Sequence, residues 1–285
     1  MKILNSNLKV IAVLLLCLIV AAPVMALDKP SNLKNKKILI YTKNGKGYVH
    51  DNIPFAVKAL EKLGKMHQFQ TDVSDNPAVF TDENLKQYTI ILFPSTNNDV
   101  FDTDAQRLAF RRYMQAGGGF IGLHSVTGTE RNWTWFKQMV GCTFSWHAAN
   151  QQYIVKVIDA NHPTMVGLPK EWNVKDECYF GKELYPGTHV LMAHDVTSLD
   201  ASKPADAERI RQFSAPFFEL YPAAWHQQFD GGHVWITALG HDKEVYEDPT
   251  FVTHILQGID FVAGQVKKLD YSRAYADSRD TPVRY

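Results

Sequence analysis

The sequence predicts an α/β protein built on a doubly wound, mostly parallel sheet, with a strand-rich second half. Three observations carry that expectation. Strand and helix signals alternate as β-α-β-α-β-α-β over residues 37–123 with short loops, an order that calls for parallel strands joined by crossover helices. The strand candidates KILIY, YTIILF and FIGL are continuous apolar runs, as strands covered on both faces should be. The remainder is strand-rich and closes on one amphipathic helix, with no internal repeat, low-complexity tract or long linker to divide it.

Taken in order, Lys37–Tyr41 is the first strand, followed by a polar loop over Thr42–His50. Asp51 is placed to cap the next helix, with Pro54 in its first turn. Ala56, Leu60 and Leu63 recur there at helical spacing. Phe69–Val73 is a second strand, Thr81–Gln87 a short helix and Tyr88–Phe93 a buried strand. Thr103 and Gln106 form a capping box before a helix whose Ala105, Leu108, Ala109, Tyr113 and Ala116 share one face. Gly117-Gly118-Gly119 stops that helix, and Phe120–Leu123 is the next buried strand. Further strands fall at Tyr153–Ile158, His189–His194, Ala223–Gln228 and His233–Leu239, with Asp230-Gly231-Gly232 a tight hairpin signal before the last. Asp248-Pro249 starts the closing helix, whose core stripe is Phe251, Ile255, Ile259 and Val262.

The chain has 285 residues, 45% hydrophobic and 12% aromatic, which supplies a real core and excludes disorder. Residues 1–26 have the parts of a cleavable secretory signal: Lys2 and Lys9, the apolar run Val10–Val20, and Val24-Met25-Ala26 as a small-residue cleavage site. Pro23 and that site argue against an uncleaved anchor, and Leu16 argues against lipid attachment at Cys17. The expected product is periplasmic or secreted, cut near Ala26. A polar leader then spans 27–36, one domain 37–264 and a tail 265–285. Removing Lys2 and Lys9 from the 30 basic residues leaves 28 against 30 acidic, a net of −2. That balance argues against nucleic acid or an anionic membrane as partner. No other segment approaches the roughly 20 apolar residues that span a bilayer. Cys142 and Cys178 either pair or stand as separate buried thiols, and are too few for a metal–thiolate site.

Gly117, Gly119 and Gly122 spell G-x-G-x-x-G, but they leave a helix and enter a strand. A dinucleotide fingerprint needs the reverse order, so no nicotinamide or flavin is expected. In open α/β sheets ligands bind beyond the carboxyl ends of the strands. The residues at those ends are His50, Asn97 (with Asn98 and Asp99) and His124, joined later by His147, Asp176, Glu177, Tyr179, His226 and His241. His67, His189, His194 and His254 read as structural or surface residues, and His162 and His233 as turn neighbours. His124 is the sharpest position, because Gly122-Leu123-His124-Ser125 puts it where a strand breaks into a tight turn, as at a nucleophile elbow. An imidazole there serves as base, acid or metal ligand. Ser125 lacks the G-x-S-x-G frame of a serine nucleophile.

The motifs KILIYTKNGKGYVHDNIP, AVFTDENL, AGGGFIGLHS, NHPTMVGLP, VKDECYF and AAWHQQFDGGHVWITALGHDKEVY run from about Lys37 to Ala263. In that order they resemble the ThuA-like family, named for trehalose utilisation. The resemblance implies a flavodoxin-like sheet of the class I glutamine amidotransferase-like superfamily. By that analogy His124 takes the superfamily's cysteine position and Trp225-His226 resembles its later histidine, so amidotransferase activity should be absent. The resemblance also implies catabolism of trehalose or related glycosides in their 3-keto form. Cys178, where an aromatic is usual, and Ala224 before Trp225 depart from common members and bear on substrate fit.

The leading expectation is therefore an exported enzyme cleaving a 3-keto-glucoside related to 3-keto-trehalose, as hydrolase or lyase. A ketone at C3 acidifies the C2 hydrogen, so a base and an enolate-stabilising cation suffice to expel the C1 substituent. His124, Glu177 and His226 are the expected catalytic residues. His50, Asn97, His147, Asp176, Tyr179 and His241 are the expected substrate contacts. One divalent ion, with Zn²⁺ the candidate, is expected on His50, His124 and His226; a histidine-lined pocket without an ion is the alternative. A conventional glycosidase needs two opposed carboxylates, and adjacent strand residues such as Asp176 and Glu177 point to opposite faces. The competing expectation is a non-catalytic sugar- or partner-binding protein using Trp133, Trp135, Trp146 and Tyr179 for stacking. A cysteine hydrolase built on Cys142 ranks last, because its surroundings show no elbow. The sequence carries no signal of oligomeric state.

Overall fold

The computed structural model describes residues 32–284; the signal expected over 1–26 and the start of the polar leader lie outside them. β1 (Lys37–Tyr41), β2 (Gln70–Ser74), β3 (Ile90–Pro94) and β4 (Gly119–Leu123) alternate with α1 (Ile53–His67), α2 (Asp82–Leu85) and α3 (Asp104–Gln115). There follow α4 (Thr134–Val140), β5 (Thr143–His147), β6 (Gln151–Val157), β7 (Glu171–Asp176), β8 (Tyr179–Lys182) and β9 (His189–Asp195). The chain continues through α5 (Pro204–Ser214), β10 (Leu220–Phe229), β11 (Gly232–Thr237) and α6 (Pro249–Gln265). Among the described residues the main sheet has the order β2-β1-β3-β4-β11-β10-β9-β6-β7, and β5 pairs with β8 separately. The first five strands of that order are parallel. They reproduce the 2-1-3-4-5 order of a flavodoxin-like sheet, with β11 as the fifth strand. The other four run antiparallel to their neighbours.

Alternation along each strand divides the core in two. Ile38, Ile40, Ile90 and Leu92 join Ala56 and Leu60 of α1 and Ile255 and Ile259 of α6. Leu39, Tyr41, Ile91 and Phe93 face the other way, onto Phe110 of α3 and Phe136 of α4. Both faces are covered, which is why these strands are apolar throughout. The capping box of Thr103 and Gln106 is formed, and Asp248 caps α6. Asp230 and Gly231, both at positive φ, make the two-residue turn between β10 and β11.

One local expectation needs correction. α1 has no side-chain cap: Asn52, not Asp51, occupies its N-cap position, and the Asn52 amide instead donates to the carbonyls of Gly240 and His241. β5, β7, β8, α4 and α5 were not legible. β7 is an edge strand with a single buried face, and a half-polar pattern of six residues gives a weak strand signal. The segment after 265 packs against the domain. It crosses α3, where Arg112 donates to the carbonyls of Ala274 and Ala276, and Arg111 to that of Arg279. Cys142 and Cys178 are separate, buried free thiols. Among the described residues no helix is long and apolar enough to cross a membrane.

Candidate histidine–carboxylate centre

The centre lies beyond the carboxyl ends of β1, β4 and β11. His124 is the first residue after β4, fully buried, with φ of +51°. A left-handed φ is costly for a side chain with a Cβ; here it throws the imidazole sideways off the strand end. Gly122 permits the turn, because a methyl group there would meet Val126 of the following 3₁₀ turn and Ile236 of β11. The Nδ1 of His124 lies 3.0 Å from the Ala238 carbonyl. A carbonyl only accepts, so Nδ1 carries the proton and Nε2 presents its lone pair.

His50 reaches the same place from the loop after β1. Ser125 commits its hydroxyl hydrogen to the Thr96 carbonyl (3.0 Å) and lies 3.2 Å from His50 Nδ1. Its oxygen therefore accepts from His50 Nδ1, and His50 also presents a bare Nε2, with the Tyr179 hydroxyl 3.4 Å away. Two imidazoles thus have their tautomers set by backbone and hydroxyl partners, the arrangement that orients metal-ligating histidines.

His241 follows β11, the strand next to β4. Its Nδ1 is 3.0 Å from Glu177 Oε2 and 3.2 Å from His124 Nε2. Glu177 also lies 3.3 Å from His147 Nδ1 and 3.8 Å from His124 Nε2. One ligand atom each from His50, His124, Glu177 and His241 can be chosen with all separations within 4.8 Å. Charge follows burial. Desolvation first, then the neighbouring imidazoles, lowers His50 to about 4 and pushes His124 well down. His241 is raised, first by its hydrogen bond to Glu177.

Asp176 is buried and does not enter the group. Desolvation raises it to about 7, while its oxygens accept from the backbone N–H groups of Gly240 (2.6 Å), Glu177 (2.8 Å) and His241 (3.1 Å). With Asn52 gripping the carbonyls, Asp176 clamps the turn that carries His241. Asp176 and Glu177 do diverge as adjacent residues should, one to the turn and one to the imidazoles. β7 is last in the sheet order, so the antiparallel half must curl back for its end to meet β11.

Tyr179 covers the group, its ring centroid 4.3 Å from that of His124. His147 borders it, with Nδ1 also 3.0 Å from the Ala148 carbonyl. Asn97 is at the rim, bridging Arg131 Nη2 (3.2 Å) and the Tyr48 carbonyl (3.5 Å).

His226 is elsewhere, and its expected place as a ligand and catalytic partner of His124 is corrected. In register it stands opposite Trp235, which is opposite Ile121. It is therefore two strands from β4, about 10 Å at the usual spacing, and three residues back from His124. Its ring faces α6, stacking on His162 (4.7 Å) and packing on Phe261 (5.1 Å). His241 and Glu177 occupy the places that His226 was expected to fill. The available signal was the repeated strand-end pattern, Gly122-Leu123-His124 and Leu239-Gly240-His241. Trp133 and Trp135 are core residues, stacked on each other at 4.9 Å, rather than sugar platforms.

The family model for ThuA, trehalose utilisation, matches residues 37–262. The curated proteins yield no match to the sequence. Among solved structures, a ThuA-like protein from Bacteroides uniformis ATCC 8492 is similar at 22% identity and a TM-score of 0.67, over 84% of this chain and 96% of that one. A ThuA-like protein from Parabacteroides merdae ATCC 43184 gives 18% and 0.61, over 82% and 92%. A cytoplasmic protein from Salmonella typhimurium gives 10% and 0.54, over 80% and 98%. At these identities the structural likeness speaks to the fold alone.

Proposed function

This chain belongs to the ThuA family of trehalose utilisation, and on that premise we propose an exported carbohydrate-catabolic enzyme that cleaves a 3-keto-glucoside related to 3-keto-trehalose, assisted by one divalent metal. The observation that carries this reading is the convergence of His50, His124, Glu177 and His241 within 4.8 Å, two of the imidazoles held with Nε2 bare.

The donor set fits the ion. Neutral imidazoles and a carboxylate suit Zn²⁺ or a neighbouring first-row dication, and the buried surroundings already favour neutral His50 and His124. His50, His124, Glu177 and His241 would hold it. A bound dication would polarise the C3 ketone and stabilise the enolate oxygen.

The chain's own residues supply the rest. His147 is partly exposed, with Nδ1 near the Ala148 carbonyl and Glu177, so Nε2 is the nitrogen left to act as base. It takes the C2 proton; the electron pair forms C1=C2 as the C1–O bond breaks, and the departing oxygen recovers that proton from His147. Water added across C1=C2 completes hydrolysis; without that step the protein is a lyase. Tyr179 packs over the imidazoles and excludes water from their buried side, while Asn97 ties Arg131 to the loop that carries Tyr48. Burial holds the Tyr179 phenol far above its ordinary range, so it acts as a neutral hydrogen-bonding group.

The test joins elemental analysis of purified protein to turnover of 3-keto-trehalose with and without chelator. About one zinc per chain and chelator-sensitive cleavage are expected. Protein that binds the sugars and never cleaves them would be a sugar-binding protein instead.

A further inference from the structure

We propose that Tyr48 is the stacking platform on which the apolar C–H face of a pyranose ring rests above the histidine centre. This identifies a substrate-binding residue and rests on the carbohydrate reading above.

Tyr48 is 61% exposed and its neighbour Val49 55%, the two together making an apolar step. Single exposed aromatics are ordinary on protein surfaces; this one differs in place and in restraint. Its ring and that of His50 are close to perpendicular with centroids 4.8 Å apart, which sets the exposed tyrosine directly beside the ring whose Nε2 enters the candidate ligand group. The loop carrying it is pinned along its length. Lys43 pairs with Asp102, the Gly45 N–H donates to the Asn97 carbonyl (2.9 Å), and the Tyr48 carbonyl accepts from Asn97. Gly45 and Gly47 let the loop lie against Asn98 and Asp99, where a methyl group at either position would collide; Gly47 also has φ of +137°.

An exposed ring on a fixed backbone is pre-organised, so little ordering entropy opposes binding. A pyranose presents an apolar C–H face to such a ring and directs its hydroxyls sideways, to polar partners. Stacking of this kind adds binding without touching the reacting atoms, so it should act on substrate affinity rather than on the chemical step.

The experiment compares wild type with Tyr48→Ala, Tyr48→Phe and Tyr48→Trp. Trehalose and methyl glucoside, which lack the C3 ketone and cannot undergo the elimination, serve as calorimetric binding probes beside turnover of 3-keto-trehalose. Tyr48→Ala should weaken binding and raise KM about tenfold, the step that 1.4 kcal/mol represents, with kcat within about twofold. Phe and Trp should restore both, since the ring and not the hydroxyl is needed. Equal sugar affinity in wild type and Tyr48→Ala, failure of both aromatic replacements to rescue, or no sugar binding at all overturns the platform. Tyr48-dependent binding without any cleavage leaves the platform standing and sinks the enzymatic reading instead.

Discussion

Two groups of imidazoles sit on this sheet, and only one has the geometry of a site. His50, His124 and His241 lie beyond strand ends, with Glu177 among them and their ring nitrogens converging. His162, His189 and His226 lie toward α6. There His226 stacks on His162 at an interplanar angle of 27°, and His189 is turned outward to Asp159 (2.9 Å). Stacked rings present faces to one another, so their lone pairs diverge. The first group has its distal nitrogens anchored by Ser125 and Ala238 and a carboxylate within reach; the second has no such convergence. Counting histidines does not separate the two. What separates them is where the second nitrogen of each ring is committed.

The largest expected effect breaks the comparison directly. His124→Ala should abolish stoichiometric zinc and lower turnover by about 10²–10⁴, as loss of a group at the reacting centre does, whereas His226→Ala should keep both within about twofold of wild type. Circular dichroism would confirm that both variants fold. Zinc lost from the His226 variant would mean the two groups are not separate.

Next in size is the anchor. Ser125→Ala removes the acceptor for His50 Nδ1 and should weaken zinc binding about 10–100-fold, the usual consequence of losing such a partner. Thr164→Val removes the matching partner of His162, 2.8 Å from its Nδ1, and should leave zinc affinity unchanged in the same titration.

A smaller effect is expected from the clamp between the two halves of the site. Asn52→Ala removes the donor shared by the Gly240 and His241 carbonyls, leaving Gly240 only the Tyr246 hydroxyl, at a cost of about 1–3 kcal/mol in urea-unfolding stability. Turnover should fall with it, because His241 is no longer held against Glu177.

The smallest effect sharpens the contrast through pH. Burial first, then His162 and His189, lowers His226 to about 4, while an unfolded imidazole titrates near 6.5. Below about 6.5 the unfolded chain takes up the proton that the folded chain resists. His226 therefore contributes stability at neutral pH that is lost as pH falls from about 6.5 toward 4. His226→Gln should flatten the drop in melting temperature between pH 7 and pH 5; an unchanged acid limb would show that the stack does not titrate this way.

Legibility in the sequence followed the source of each signal. Lys37–Tyr41, Tyr88–Phe93 and Phe120–Leu123 were readable because burial on both faces demands uninterrupted apolar residues. Thr103 and Asp248 were readable because caps are local chemistry. His254 was rightly kept out of the site: it is buried, with Nε2 3.1 Å from Thr237 Oγ1. It is a core residue, so replacing it should cost stability rather than zinc.

By itself the sequence determined the parallel half, the strand-end position of His50, His124 and His241, and the backbone break that turns His124 outward. Each is decided within a few residues, by apolar runs, glycines and turns. Only the tertiary structure decided which of those groups meet. The register of β11 against β4 brings the residues after them side by side. The register of β10 leaves His226 three residues short and turned to α6. Glu177 arrives from the far edge of the sheet only because the antiparallel half curls back. Register and curl arise from the packing of distant strands and helices, and no window of the chain contains both partners of such a contact.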